Sequence, residues 1–353
     1  MAVFFLYSKR VYAQIIYIKG EVYDFRVSSL CFIDKYQKIY YDAIVLTQCY
    51  FSMNSYARRL QMNKNHISFK IPVNPELEVF YSPSKNDYEG CILCVHGICH
   101  GAWCYENFLT FFSDNGFDCY ALSFRGHSGS SGHDNLNKYT LSDYSDDIKR
   151  CIKYCKSEKC EYKMKSDPFL LGHSMGGAVV QKYIGEHSNT INGAILFAPA
   201  TAGGMGLIEL IKPILSIGLK NGVKIRNLIY KNEQVPTAIV KKSAFFSNRV
   251  SKEKIEFYNG LLQDESKIAI KELGQRYTDN YNTDDIPILV IGSYADSYFP
   301  KKSLRKTAKI YKCSENDTKK QLKILPDLCH DMMLDPEWKK PAKIVLDFMR
   351  TNN

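Results

Sequence analysis

Phe169-Leu-Leu-Gly172-His173-Ser174-Met175-Gly176-Gly177 is the stretch on which the fold turns. Residues 169–172 form a short apolar run of the kind that makes a buried strand, and 175–187 carry a helical pattern, so Ser174 falls on the turn between the two. A serine on such a turn is held in a strained backbone conformation with its hydroxyl clear of the sheet, and the positions two before and two after it must be small because strand and helix approach closely there. Gly172 and Gly176 meet that need and Gly177 extends it. The bare pattern G-x-S-x-G is common by chance. Its placement between a strand and a helix makes Ser174 a candidate nucleophile and not an incidental serine in a glycine-rich turn.

Outward from this turn, apolar runs and helical patterns alternate. Residues 67–71 and 77–81 read as antiparallel strands separated by Pro72 and Pro75. Further strands are expected at 91–95, 118–123, 169–172, 193–197, 287–292 and 321–325, and helices at 105–115, 141–155 (with Thr140 as N-cap), 175–187 and 341–350. This alternation implies an α/β protein with a mostly parallel sheet and helices on both faces. The rhythm breaks over 202–283, which is too long for a loop; helical spacing at 207–219, 236–246 and 252–262 suggests a helical cap inserted into a core of 67–201 and 284–353. Residues 1–66 form an N-terminal extension of unassigned role, with short strands expected near 14–18 and 41–47.

A serine nucleophile needs a base to take its proton and an acid to orient that base. When the serine sits on a strand-to-helix turn, acid and base follow it in that order along the chain. His330 is the only histidine after His187, and it comes one loop after the last expected strand. Asp296 follows the strand before that one, with Pro300 closing the loop. Asp284 and Asp285 precede the strand and would lie at the wrong end of the sheet. Asp327 and Asp331 are too near His330 in sequence to orient its ring. The oxyanion of an acyl-transfer intermediate needs two N–H donors. Met175, after the nucleophile, supplies one; Ile98, in His96-Gly-Ile-Cys-His-Gly-Ala-Trp103, supplies the other. His96 and Gly97 are expected to support that loop, and Trp103 to pack beneath it.

Composition narrows the class. The chain has 353 residues, 45% hydrophobic, which suits one large domain with an insertion. The net charge of +10 concentrates in 1–70, 202–283 and 301–323 and reads as a solvated lysine-rich face, with no nucleic-acid motif. Its 12 cysteines lack the spacing of a disulfide framework. Cys91-Ile-Leu-Cys94 has no second metal-binding pair and falls in a strand, so both are read as buried thiols. Cys329, beside His330, is a candidate for oxidation. No segment is long and apolar enough for a signal peptide core or a membrane span, so a soluble, cytoplasmic protein is expected. The sequence carries no cofactor or metal motif and no signal of oligomeric state.

Together, His96-Gly97, Arg125-Gly-His-Ser-Gly-Ser-Ser131, Gly172-His-Ser-Met-Gly-Gly177, Asp296 and His330 resemble the α/β-hydrolase superfamily over residues 67–353. Val95-His-Gly-Ile-Cys-His-Gly-Ala-Trp-Cys104 is similar to the equivalent loop of plant methyl esterases and hydroxynitrile lyases. The chain also resembles the bacterial hydrolases akin to monoacylglycerol lipases and lysophospholipases, although Ser128 replaces their glycine after Arg125-Gly-His127. That change is expected to alter loop detail and not chemistry. Dehalogenases and epoxide hydrolases of this superfamily carry aspartate where Ser174 stands, and hydroxynitrile lyases carry lysine where Asp331 stands. Cofactor-free haloperoxidases share the serine triad and stay open. The resemblance implies a cofactor-free serine hydrolase of a small-molecule carboxylic ester, with Ser174, His330 and Asp296 as its triad. The apolar segment 207–219 suggests a lipid ester such as a monoacylglycerol or lysophospholipid. Thioester and amide hydrolysis, and a non-catalytic ligand receptor, stay open, as does docking of residues 1–66 and the basic surface on a membrane.

Overall fold

Alternate residues of a strand face opposite sides, so a strand apolar at every position is buried on both. Gly90–Val95 (β5), Phe117–Leu122 (β6), Phe169–His173 (β7), Gly193–Phe197 (β8) and Ile288–Ser293 (β9) are buried at every residue. A computed structural model describes residues 66–206, 245–281, 283 and 285–353, the pieces 16–18 and 21–23, and the single positions 209, 220, 221, 223, 224 and 227. The chain divides into two units, 1–56 and 57–353. In the first, Ile16–Ile18 (β1) and Glu21–Tyr23 (β2) pair antiparallel. The strand expected at 41–47 lies outside the described residues.

In the second unit, eight strands form one sheet in the order β10-β9-β8-β7-β5-β6-β4-β3, where β3 is Ile67–Ile71, β4 Leu77–Ser82 and β10 Lys320–Leu325. From β6 to β10 all pairings are parallel; β3 and β4 join antiparallel at the other edge. Helices α1 (Glu106–Ser113) and α7 (Lys339–Asn352) pack Phe108, Phe112, Val345 and Phe348 on one face, against Ile92, Leu171, Ile195 and Leu289. Helices α2 (Leu141–Cys155), α3 (Met175–His187) and α6 (Lys301–Ile310) cover the other, packing Ile148, Val179 and Leu304 against Leu93, Leu170, Leu196 and Val290. Each such buried side chain contributes about 1.5–3 kcal/mol. Thr140 caps α2 through a full capping box with Asp143.

Two helices were not expected, and one strand lies deeper than its charged residue suggests. The strand expected at 77–81 forms as β4 and is buried throughout; Glu78 is inside, its carboxylate accepting from Ser123 Oγ (2.8 Å) and Gly129 N (2.9 Å). Helix α6 was not expected. Nor was α5 (Lys267–Glu272), which follows α4 (Lys252–Asn259) between β8 and β9. The helix expected at 207–219 lies almost wholly outside the described residues, as does most of 236–246, whose last two residues form a bend.

Candidate active site

The turn after β7 places Ser174 at φ 55° and ψ −117°, a left-handed conformation that costs a non-glycine residue about 1–3 kcal/mol. Surrounding bonds hold it there: Ser174 N donates to Phe197 O (3.1 Å), and Ser174 O accepts from Gly177 N (2.9 Å) and Ala200 N (3.0 Å). The glycines are needed for approach. A Cβ on Gly172 would stand 2.4 Å from Gly176 O, and one on Gly176 would stand 2.4 Å from His96 O.

Because β9 and β10 are parallel neighbours, the loops after them leave the same edge of the sheet that carries Ser174. Tyr294 N donates to Leu325 O (2.8 Å) and Leu328 N to Ser293 Oγ (3.0 Å), which ties the two loops together. Asp296 and His330 come from these loops. Asp296 Oδ1 accepts from the amides of Tyr298 (2.8 Å) and Phe299 (3.1 Å), fixing the carboxylate. Its Oδ2 accepts from His330 Nδ1 at 2.9 Å, and His330 Nε2 lies 2.9 Å from Ser174 Oγ, the hydroxyl donating. All three residues are buried. Burial disfavours the His330 imidazolium, but the Asp296 charge and hydrogen bond outweigh it and raise its pKa above the ordinary 6.5. The competing carboxylates lie elsewhere. Asp285 accepts from Ser188, Asp327 is exposed, and Asp284 is outside the described residues.

Gly97 packs directly behind the nucleophile: a Cβ there would be 2.9 Å from both Ser174 Cβ and His173 Nδ1. His96 is buried and accepts from Phe124 N on Nε2 (3.1 Å), so Nδ1 carries the proton and donates to Gly97 O (2.8 Å). Burial, aided by His127, holds its pKa well below 6.5. In a trans peptide C=O and N–H point opposite ways, so a held Gly97 O fixes the direction of Ile98 N–H. Among the described residues neither Ile98 N–H nor Met175 N–H donates a hydrogen bond. Trp103 is buried and stacks on His100 (ring centroids 5.1 Å) and Tyr258 (6.1 Å). Phe245, Tyr298 and Phe299 ring His330.

Sequence reasoning missed two further buried pairs, His100–Asp331 (3.3 Å) and His127–Glu265 (3.0 Å). Nothing local in the sequence signals either pair. The Asp331 side chain, set aside as an orienter of His330, contacts His100. Ser128 adopts φ 52°, a region that favours glycine, and its Cβ would stand 2.5 Å from a Cβ on Gly101. Burial pushes the Cys329 thiol up to about 12, which works against the oxidation expected of it. Burial likewise pushes Cys91 up to about 11 and raises Cys94 further.

His173, His330 and Asp331 bring ligand-type atoms within 4.8 Å of one another. His330 already uses both nitrogens on Ser174 and Asp296, and His173 Nε2 donates to His330 O (3.2 Å). A separate cavity of about 360 Å³, lined by Lys182, Glu186, Arg276 and Tyr277, lies toward the C-terminus of α3 and includes none of these residues.

A family model described as Hydrolase_4, serine aminopeptidase, S33, matches residues 86–337. The chain is 24% identical over 263 residues to the monoacylglycerol lipase of Mycolicibacterium smegmatis, covering 74% of this chain and 86% of the relative. Among solved structures it is similar to the esterase EaEST from Exiguobacterium antarcticum, with TM-score 0.62, 18% identity and coverage of 80% of this chain and 100% of that one. The monoacylglycerol lipase of Paleococcus ferrophilus gives TM-score 0.53, 19% identity and coverage of 78% and 99%. Both likenesses are of fold. Among the described residues, no helix is long and apolar enough to cross a membrane.

Proposed function

The chain belongs to the Hydrolase_4 family of α/β-hydrolases described as serine aminopeptidase S33, and from that premise we propose that Ser174, His330 and Asp296 cleave a carboxylic ester through an acyl-enzyme. The observation that carries this reading is the unbroken chain of short contacts, Ser174 Oγ to His330 Nε2 at 2.9 Å and His330 Nδ1 to Asp296 Oδ2 at 2.9 Å. His330 takes the Ser174 proton as Oγ attacks the ester carbonyl, forming a C–O bond and a tetrahedral oxyanion. The amides of Ile98 and Met175 receive that charge. The imidazolium, stabilised by Asp296, returns its proton to the leaving alcohol as the ester bond breaks. Water then repeats the cycle on the acyl-enzyme, with His330 as base. No cofactor takes part in these steps.

For the substrate we propose a lipid ester of the monoacylglycerol type. What supports this is the likeness to the mycobacterial relative and the aromatic surround of His330. We propose too that the insertion 202–283 is a cap. A panel of p-nitrophenyl esters of rising acyl length, a monoacylglycerol, an acyl thioester and an aminoacyl p-nitroanilide tests the reading. Ester turnover rising with chain length is expected. A flat profile or an acetyl preference contradicts the lipid assignment, and faster anilide than ester turnover contradicts ester cleavage.

A further inference from the structure

The peptide unit that joins Ile98 to Cys99 is gripped at both ends by buried side chains. On one side His100 Nδ1–H donates to Ile98 O at 2.6 Å. The other ring nitrogen of His100 lies 3.3 Å from Asp331 Oδ2. On the other side Cys99 N donates to Glu265 Oε2 at 3.3 Å. The same Oε2 lies 3.0 Å from His127 Nε2, while Glu265 Oε1 accepts from Tyr144 Oη and Ser266 N, both at 2.8 Å. Gln263 N adds a bond to Cys99 O at 3.0 Å. This grip keeps Cys99 at φ 65°, a conformation its side chain disfavours. One acid directly follows His330 in the chain, and the other comes from the insertion between β8 and β9.

We propose that the His100–Asp331 and Glu265–His127 pairs act as a two-sided clamp that aims the Ile98 N–H at the oxyanion, making all four positioning residues for catalysis. The inference rests on the reading of Ser174 as nucleophile and Ile98 as donor. Gly97 is fixed against Ser174 on one side and the Ile98–Cys99 peptide is fixed on the other, so the intervening amide has little freedom. Through Asp331, the loop that carries the base also sets the loop that carries the donor, and through Glu265 the insertion does the same. Neither pair hydrogen-bonds the side chain of Ser174, His330 or Asp296; Asp331 also favours the His330 imidazolium, an influence that vanishes where His330 is neutral.

The test uses the full chain and the variants Asp331→Asn, Glu265→Gln, His100→Phe and His100→Asn, each normalised by active-site titration. For Asp331→Asn, Glu265→Gln and His100→Phe, kcat per titrated site is expected to fall about 10- to 100-fold with KM within about threefold of the parent. The Ki of a trifluoromethyl ketone, which forms a tetrahedral oxyanion on the serine, should rise by the same factor as kcat/KM falls. His100→Asn, whose amide can still donate to Ile98 O, should recover part of the loss. The deficit should persist on the high-pH plateau, where His330 is neutral in parent and variant alike. Unchanged kcat and ketone Ki per titrated site, with only a lowered Tm, would overturn the clamp and leave a structural role. Either acid variant carries the prediction alone if the other does not fold. A parent chain that neither hydrolyses esters nor binds the ketone removes the reading beneath the clamp, and the clamp with it.

Discussion

His330 is subject to opposing influences: burial disfavours its charge, and Asp296 at 2.9 Å favours it. The carboxylate prevails, so the base is neutral and competent only above a pKa that itself lies above 6.5. The acid limb of kcat/KM should therefore have its midpoint above 6.5 in the native chain. Asp296→Asn should move that midpoint down and cost roughly 10³- to 10⁴-fold in rate, because the amide neither stabilises the imidazolium nor fixes its tautomer. A limb that stays in place in the variant would contradict the assignment of Asp296. At this scale the sequence was legible where chain order and strand ends constrain the answer, as for Ser174, Asp296 and His330. It was opaque where contact joins distant residues. His100 and Asp331 are 231 positions apart, and His127 and Glu265 are 138 apart, with no local pattern to link them.

Strand β7 and helix α3 meet at two glycines whose missing side chains let the turn close. Gly172→Ala would drive a Cβ into Gly176 O at 2.4 Å, a backbone atom that cannot swing aside. We expect a loss of about 1–3 kcal/mol in urea unfolding, with hydrolysis falling in parallel as Ser174 shifts. A variant as stable as the parent would show that the close approach is not required. This turn was readable because glycine spacing and periodicity agree there. Helix α6 was not, for a physical reason. Its buried stripe is Ser303, Leu304, Thr307 and Ala308, half of it polar, and Thr307 Oγ1 serves the amide of Ala202 at 3.0 Å. The hydrophobic period is faint, and the lysines outside it read as a charge run. Glu78 carries its charge into a buried strand, where Ser123 and Gly129 satisfy it.

Across the whole molecule, the buried His127–Glu265 pair stitches the insertion to the core, and its contribution to stability depends on pH. Burial opposes the Glu265 charge, but His127 and two other donors, Ser266 N and Tyr144 Oη, hold its pKa below the ordinary 4.5. That contribution is complete above 4.5 and is lost as pH falls through the folded value. Burial also opposes the His127 charge, but Glu265 raises its pKa above 6.5; that contribution is complete below 6.5 and is lost as pH rises through the folded value. Both are whole only between 4.5 and 6.5. The Tm gap between the native chain and Glu265→Gln should be widest in that window, corresponding to about 3–5 kcal/mol, and should narrow on either side. A gap that does not change with pH would contradict the pairing. The layered α/β architecture could be read from alternating strands and helices, while the buried Glu265 carboxylate that helps join insertion to core could not. All of these elements converge on one hydroxyl, and the most direct measurement is covalent. The native chain, treated with a fluorophosphonate and digested, should carry the adduct on Ser174, and Ser174→Ala should lose both the adduct and p-nitrophenyl ester hydrolysis. An adduct on another residue, or ester turnover that survives in Ser174→Ala, would contradict the account.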